Sequence, residues 1–347
     1  MSMLSLLGTL YFLVGLACSA LCLLCVLLTF LGYLKKPRDS VEEENFYYQS
    51  EAEVKVPVYC ISKEPIVDLS VVIPAYNEVA RLPLMLEETV DFLKARVAKN
   101  TGFKYEIIVV DDGSKDKTAD CALDFAKKAN LKKGELVVVK LAINRGKGGA
   151  VAQGILRAKG KNILFADADG ATRFSDVSIL EEALAKLERK GLGLVVGSRS
   201  HLVNSEAVVK RSLLRNALMY GFHTYLYALG IRGIKDTQCG FKLFTRAAAH
   251  RIFSNLHAEG WIFDIETLLL ARMFEIPISE VPVNWQEIEG SKVSIIRDAI
   301  KMALDLLMIR LSYFWGIWKI CLPISSSTFC STSTTPVSSR KLRKHLQ

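Results

Sequence analysis

The alternation of apolar and polar positions divides the chain into a membrane segment and a mixed globular part. Residues 4–34 form an apolar run without a charged residue. This run exceeds the roughly 20 residues that a helix needs to cross a bilayer, so it predicts a transmembrane helix. Lys35, Lys36 and Arg38 follow directly, and basic residues favour the cytoplasmic side of a membrane. We therefore predict an uncleaved single-pass anchor over residues 1–38, with the remaining chain in the cytoplasm.

After an irregular stretch over residues 39–68, which is predicted to be a linker, short β-branched strands alternate with helical patterns. The predicted strands cover residues 69–73, 105–110, 136–139, 163–166 and 193–197, and the predicted helices 82–98, 118–129 and 146–158. This alternation is typical of βαβ units. It predicts an α/β fold in which a mostly parallel sheet carries helices on both faces.

The second half of the globular part is less regular. A long helix over residues 208–229, an apolar strand over 241–244, a helix over 261–273 and an edge strand over 276–283 are predicted there. Together with the first half they make one main domain over residues 69–294.

Residues 295–320 carry hydrophobic side chains at helical spacing, with basic residues between them and Trp315 and Trp318 near the end. Tryptophan and basic residues on an amphipathic helix are typical of a membrane interface. A helix packed on the sheet would show the same spacing, so both interpretations stay open. The Ser/Thr-rich and then basic stretch over residues 321–347 is predicted to be disordered.

Composition adds two restrictions. The net charge of +9 comes from scattered lysines and arginines without interleaved aromatic residues, which argues against nucleic acid and favours anionic lipid headgroups. The eight cysteines lie in the apolar run or far apart along the chain, so they indicate no disulfide framework and favour a reducing compartment.

Polar residues concentrate where the predicted strands end. In a parallel sheet the carboxyl ends of the strands meet at one edge, and ligands bind outside that edge. Polar turns without a shared role would be as frequent at the opposite ends. The residues that this reasoning places at the carboxyl edge are Pro74, Tyr76, Glu78, Asp111, Asp112, Arg145, Lys147, Asp167, Asp169 and Arg199.

The most informative of these residues are Asp167 and Asp169, which follow the apolar strand over residues 163–166. Strand side chains alternate between faces, so two carboxylates two positions apart point the same way. Buried carboxylates are unfavourable unless they are paired or bind a metal. The pair therefore predicts a divalent cation that carries phosphates, although a polar turn before Gly170 would give the same letters.

Two further motifs have alternative explanations of equal weight. Gly146-Lys147-Gly148-Gly149 opens a helix and could hold phosphate through its backbone N–H groups. Glycines there would equally permit a tight turn and close helix–sheet packing. Asp264 and Glu266 begin the helix over residues 261–273, where acids either complement the helix dipole or take part in catalysis.

Three motifs occur in order, each after a predicted strand: Val72-Ile73-Pro74-Ala75-Tyr76-Asn77-Glu78, Val110-Asp111-Asp112-Gly113-Ser114 and Asp167-Ala168-Asp169. This ordered set resembles the inverting glycosyltransferases of family 2. The resemblance covers roughly residues 70–310 and implies the Rossmann-like GT-A fold, with residues 69–294 as the catalytic domain.

Within that family, the runs from Asn144 to Gly149 and from Asp236 to Phe244, together with the anchor at the start of the chain, most resemble one branch. Members of that branch transfer glucose from UDP-glucose to dolichyl phosphate at the endoplasmic reticulum membrane, for N-glycan precursor assembly. The resemblance leaves two alternatives open: another sugar nucleotide such as GDP-mannose or another polyprenyl acceptor, and a non-catalytic subunit that only binds a nucleotide sugar.

The family resemblance also implies roles for individual residues. Asp167 and Asp169 would bind Mg²⁺ or Mn²⁺, and with Asp236 and Glu266 they form the expected catalytic set. The expected nucleotide-sugar-binding residues are Pro74, Tyr76, Glu78, Val110, Asp111, Asp112, Lys147, Asp167, Ala168, Arg199 and Lys292. The attacking phosphate is largely ionised at neutral pH, since its second pKa is about 6, so it needs little help from a general base.

Overall fold

A computed structural model of the chain describes residues 3–34, 46–48, 55–201, 221, 233–288, 295–322 and 335–336. The helices are α1 (Met3–Leu34), α2 (Leu82–Lys99), α3 (Thr118–Lys128), α4 (Lys147–Ile155), α5 (Val177–Leu187), α6 (Arg246–Phe253), α7 (Phe263–Met273) and α8 (Ile295–Phe314). The strands are β1 (Phe46–Tyr48), β2 (Lys55–Pro57), β3 (Val67–Ala75), β4 (Tyr105–Asp111), β5 (Leu136–Lys140), β6 (Gly160–Ala166), β7 (Leu194–Ser198), β8 (Phe241–Thr245), β9 (Ile278–Pro282), β10 (Cys321–Leu322) and β11 (Thr335–Pro336).

Nine strands form one sheet in the order β2-β1-β5-β4-β3-β6-β8-β7-β9. The strands β5, β4, β3 and β6 are mutually parallel, β8 runs against both of its neighbours, and β7 pairs with β9 in parallel. The predicted mostly parallel α/β architecture is therefore confirmed.

The strand order reverses between β3 and β6. From β3 the chain adds β4 and then β5 on one side, and it then crosses over to place β6 on the other side of β3. Such a reversal opens a crevice outside the carboxyl ends of the two central strands, where ligands bind in open α/β sheets. The loops after Ala75 and after Ala166 lie at this crevice.

Helices cover both faces of the sheet, which explains why the central strands are apolar along their whole length. The strand β4 is buried at every position. Helices α2, α3 and α5 contribute to the core on one face, whereas α4, α6, α7 and α8 contribute to the core on the other. Each fully buried Val, Leu or Ile in these two layers contributes roughly 1.5–3 kcal/mol through removal from water.

The first helix contains the segment Tyr11–Gly32, whose 22 residues have a mean hydropathy of 2.6. Its length and composition are sufficient to cross a membrane. The last turns of α1 pack on α8, since Leu28 is buried in the core and the Trp318 indole donates a hydrogen bond of 2.9 Å to the Gly32 carbonyl.

Helix α8 has two apolar faces. Leu306, Ile309 and Tyr313 are at most 1% exposed and belong to the core, whereas Ile300, Leu304 and Phe314 are exposed. Trp315, which follows the helix and continues its last turn with a hydrogen bond to the Leu311 carbonyl, is exposed as well. At 100° per residue the four exposed side chains lie within about 100° of one another on the helix. The buried face confirms that the helix packs on the core, and the membrane interface stays a prediction that concerns the exposed face.

Several expectations about the chain outside the sheet were wrong. Trp318 is only 4% exposed and stacks on His257 with ring centroids 4.2 Å apart, so it is a core residue and not an interface residue. The helix ends at Phe314, before the predicted boundary. The predicted linker includes β1 and β2, because that hairpin adds to the sheet beside β5.

The remaining predictions concern the tail and two segments that lie outside the described residues. In the predicted disordered tail, Cys321 and Leu322 pair with Thr335 and Pro336 as a two-stranded ladder. The helix predicted over residues 208–229, apart from residue 221, and the loop with Lys292 lie outside the described residues.

Candidate active site at the carboxyl edge of the sheet

The loop after β3 is built around a left-handed residue. Asn77 has φ of 53°, a conformation that asparagine tolerates better than most residues. Its backbone N–H donates to the Ser114 hydroxyl at 3.0 Å, and its side-chain oxygen accepts from the Lys115 N–H at 2.8 Å. These bonds tie the loop to the one after β4. Pro74 and Tyr76 are half-buried beside it.

Glu78 forms a two-point ion pair with Arg81, with N–O distances of 2.7 and 2.6 Å. The contact with Glu78 raises the pKa of Arg81, and the charges of Asp169 and Asp167 add to this effect. Arg81 is therefore close enough to the aspartate pair to interact with it electrostatically. Arg81 was not among the predicted site residues, because its only signal in the sequence is its position three residues after Glu78.

Asp111 and Asp112 organise loops. Asp111 accepts a hydrogen bond from the Ser114 N–H at 3.2 Å. The two carboxylate oxygens of Asp112 accept from the N–H groups of Arg145 and Gly146 at 2.7 and 2.9 Å. Burial raises the pKa of Asp112 to about 7, although these two hydrogen bonds oppose the shift. Asp112 thus fixes the start of the glycine-rich loop.

Val110 and Ala168, among the expected pocket residues, have buried apolar side chains. Val110 is 0% exposed and faces α4, where a side chain on Gly154 would collide with it. The Val110 side chain points into the core, so only its backbone at the end of β4 could contact a nucleotide sugar, and the expected binding role stays a prediction. Ala168 is 5% exposed, which leaves its backbone as the part that borders the two aspartates.

The glycine-rich loop packs closely on residues 258–263. The Gly149 N–H donates to the Glu259 carbonyl at 3.0 Å, and a side chain on Gly148 would collide with Phe263 and with the Ala258 carbonyl. The contacts of these glycines support the close-packing explanation. The loop also directs the Lys147 side chain toward Asp167, at a distance of 2.7 Å between Nζ and Oδ1.

Asp167 and Asp169 lie directly after β6. The Asp167 N–H donates to the Gly240 carbonyl at 3.0 Å, and the Asp167 carboxylate lies against the Gly240 Cα, where any side chain would collide with it. Asp169 accepts from the Ala171 N–H at 3.1 Å. Burial and the charge of Asp167 raise the pKa of Asp169, as expected for two carboxylates that share a confined space.

Arg199 and Asp236 form a second charged pair at the same edge. The guanidinium donates to both carboxylate oxygens at 2.7 and 2.9 Å, and its carbon lies 5.5 Å from the Trp285 ring centre. Burial alone would raise the pKa of Asp236, but the hydrogen bonds and charge of Arg199 outweigh it and hold that pKa below its usual range. Asp236 therefore orients Arg199.

Comparison with known proteins agrees with this geometry. A family model described as Glycosyl transferase family 2 matches residues 70–253. The dolichyl-phosphate beta-glucosyltransferase of Dictyostelium discoideum is 51% identical over 287 residues, which are 81% of this chain and 86% of that protein. The human protein of the same name is 47% identical over 281 residues, which are 80% of this chain and 86% of the human one.

The chain belongs to glycosyl transferase family 2. It is a glycosyltransferase, and both the GT-A fold and the resemblance to the dolichyl-phosphate beta-glucosyltransferases are confirmed. A glucosyl-3-phosphoglycerate synthase from Mycobacterium tuberculosis, solved in complex with Mn²⁺ and UDP-glucose, is 19% identical and superposes with a TM-score of 0.46, over 70% of this chain and 79% of that one. That likeness is too distant to transfer a ligand to the present chain.

Glu266 of this glycosyltransferase was expected in the catalytic set, but it lies in the protein interior. Its side chain is 0% exposed. It accepts hydrogen bonds from the N–H groups of His257 and Ala258 and from the Tyr313 hydroxyl, with the last at 2.7 Å. The expected catalytic role is therefore wrong, since the carboxylate is enclosed and serves to fix the loop before α7 and to join it to α8.

Of the two acids at the start of α7, Asp264 and not Glu266 lies next to the site. It forms an ion pair with Lys242, and the two residues are 3% and 1% exposed. Lys242 also donates to the Cys239 carbonyl at 2.6 Å. The charges of Asp167 and Asp264 outweigh burial and raise the pKa of Lys147, so a row of alternating charges extends from the carboxyl edge into the core.

The donor set at Asp167 and Asp169 fits a divalent cation that is shared with a phosphorylated ligand. Among the described residues, no third histidine, cysteine or acid joins the two to form a complete protein site. Mg²⁺ and related ions are commonly held by one or two carboxylates, with phosphate and water oxygens completing the coordination. Of the other expected ligand-binding residues, Pro74, Tyr76, Glu78 and Arg199 lie at the carboxyl edge.

Proposed function

We propose that this family 2 glycosyltransferase moves glucose from UDP-glucose to dolichyl phosphate with inversion at the anomeric carbon. The observation that carries the proposal is its identity of 47–51% to dolichyl-phosphate beta-glucosyltransferases over most of both chains. The aspartate pair at the crevice between β3 and β6 supports it, because a sugar diphosphate is a ligand of the kind that this position accommodates.

In the proposed complex, Asp167 and Asp169 hold Mg²⁺ or Mn²⁺. When bound, the cation would offset charge that develops on the UDP leaving group. Lys147, Arg81 and Arg199 supply further positive charge around the same diphosphate. The basic side chains and the confined edge are suited to stabilising charge that forms during bond cleavage.

The nucleoside lies against the loops after β3 and β4. Pro74 and Tyr76 provide half-buried apolar and aromatic surface for the base, and Asp111 lies beside them. Asp112 contributes by fixing the glycine-rich loop, as its hydrogen bonds to Arg145 and Gly146 indicate.

The acceptor phosphate attacks the anomeric carbon directly. It is largely ionised at neutral pH, so it needs orientation more than deprotonation. Arg199, held by Asp236 and by the face of Trp285, is suited to that orientation. Lys292 was expected to assist, and we retain it as a proposal from the family resemblance.

The membrane arrangement follows from α1 and α8. We propose that α1 spans the endoplasmic reticulum membrane, that the catalytic domain faces the cytoplasm, and that the exposed face of α8 (Ile300, Leu304, Phe314 and Trp315) lies in the headgroup region. The product would serve N-glycan precursor assembly. In vesicles of brominated lipid, the tryptophan emission should be quenched through Trp315, and a Trp315→Phe variant that loses no quenching would exclude this orientation.

The function is tested by purified full-length protein with UDP-glucose, dolichyl phosphate and Mg²⁺ or Mn²⁺. The expected result is metal-dependent release of UDP together with glucosylated lipid, both abolished in Asp169→Asn. A Lys161→Met variant, altered at the opposite end of the same strand, is the control. Transfer from GDP-mannose in place of UDP-glucose would establish the alternative donor, and absence of transfer from any sugar nucleotide would refute the proposal.

A further inference from the structure

The ammonium of Lys147 is held between a carboxylate and two aromatic rings, beside the aspartate pair. It lies 2.7 Å from Asp167 Oδ1 and 5.4 and 5.3 Å from the ring centres of Phe165 and Trp261. The side chains of Lys147 and Asp167 are 17% and 31% exposed. Aromatic faces and a carboxylate around one ammonium form an environment that favours a cation.

The surroundings of Lys147 keep a second negative charge available to it. Lys147 and Lys242 lie over the same Phe165 ring, at 5.4 and 5.9 Å from its centre, and the hydrogen bond from Lys242 fixes Asp264 beside them. The lysine could therefore leave Asp167 without leaving its pocket, since Asp264 and the two rings would continue to stabilise the positive charge.

The contact between Lys147 and Asp167 opposes the binding of a metal to the same oxygen, because two positive charges would then lie side by side. A Mg²⁺ ion binds oxygen at about 2.0–2.1 Å, and an ammonium at hydrogen-bond distance from that oxygen would repel it. The diphosphate of a donor offers the lysine new anionic partners on the solvent side. Arrival of the donor can thus free the Asp167 oxygen that the cation needs.

We propose that Lys147 occupies the cation position in the donor-free enzyme, and that donor and divalent cation therefore bind cooperatively, with the diphosphate drawing Lys147 away from Asp167. This inference rests on the proposed function. Lys147 acts as a positioning residue that couples two ligands. Coupling of this kind is reciprocal, so the cation raises donor affinity by the same factor by which the donor raises cation affinity.

The test measures Mn²⁺ affinity directly, from the electron paramagnetic resonance signal of free Mn²⁺ during titration of full-length protein, without acceptor. Three variants are compared with the unaltered chain: Lys147→Met, Lys147→Arg and the control Lys161→Met. Without donor, Lys147→Met should bind Mn²⁺ about tenfold more tightly than the unaltered chain. Saturating UDP-glucose should tighten Mn²⁺ binding in the unaltered chain and have a smaller effect in Lys147→Met.

The two other variants give the expected contrasts. Lys147→Arg keeps the positive charge and should keep weak Mn²⁺ binding without donor, whereas Lys161→Met should match the unaltered chain throughout. Thermal unfolding of each variant checks that the domain is folded. Equal or weaker donor-free Mn²⁺ binding in a folded Lys147→Met variant would overturn the inference. If the unaltered chain binds no Mn²⁺ even with UDP-glucose, the proposed function itself fails.

Discussion

The position of Asp167 depends on the absence of a side chain at Gly240, which gives a sharp prediction. In Gly240→Ala, the new Cβ would lie within 3.0 Å of three Asp167 carboxyl atoms. The backbones cannot separate easily, because the Asp167 N–H donates to the Gly240 carbonyl at 3.0 Å at the end of the β6–β8 ladder. The carboxylate must therefore rotate away from its place.

The size of the effect follows from the donor set. Asp167 is one of the two carboxylates among the described residues that are proposed to hold the cation, so displacing it should weaken cation binding without removing an apolar contact from the core. Changes that misorient a metal ligand typically reduce metal affinity or activity by about 10–100-fold. This range corresponds to about 1.4–2.8 kcal/mol of lost binding free energy. Insertion of a methyl group into a packed site typically lowers the free energy of unfolding by about 1–3 kcal/mol.

The assay measures Mn²⁺ affinity in the presence of UDP-glucose, together with the rate of UDP release and the melting temperature. Gly260→Ala is the matched control, because Gly260 lies near the site with nothing within 4 Å of the new Cβ. A folded Gly240→Ala variant with unaltered Mn²⁺ affinity and turnover would refute the assignment of Asp167 as a metal ligand held by this contact.

Three further predictions concern the rest of the molecule. Gly32→Leu should lower the melting temperature, since the new side chain would collide with α8, whereas Gly15→Leu, at a position with open space, should not. Thermal unfolding in detergent compares the two variants, and equal melting temperatures would contradict the docking of α1. Lys242→Met leaves Asp264 buried without its ion-pair partner and should destabilise the domain by about 3–5 kcal/mol in urea titrations, with partial recovery on adding Asp264→Asn. Burial raises the pKa of Asp112 to about 7, above the usual value of about 3.9. The folded state therefore binds more protons than the unfolded state between these values, and the contribution of Asp112 to stability should decline as pH rises from about 4 to about 7. In Asp112→Asn the melting temperature should change less over that range.

The sequence was sufficient for the parts of the fold that depend on local pattern. The continuous apolar strands ending in polar residues predicted the sheet and its carboxyl edge, and Asp167 and Asp169 were found because strand geometry places them there. The loop after β3 was found in the same way. These inferences required only the periodicity of side chains and the common direction of parallel strands.

Predictions failed where the partner of a residue is distant in sequence. Trp318 had the pattern of an interface residue, but its neighbour His257 is known only from the fold. In the sequence, Glu266 and Asp264 cannot be told apart, because both are acids in the first turn of a helix. Their roles differ because one is enclosed by backbone donors and the other is paired with Lys242 near Lys147.

The docking of α1 on α8 has a kinetic consequence. With α1 across the membrane, as proposed above, a catalytic domain docked on that helix keeps its ligand-binding edge at a constant height above the bilayer. The proposed lipid acceptor would then reach this edge by lateral diffusion. Encounter then depends on how many acceptor molecules occupy each unit of membrane area. At a constant number of enzyme molecules per vesicle, diluting the acceptor with other lipids should slow turnover, whereas diluting the whole suspension with buffer should not.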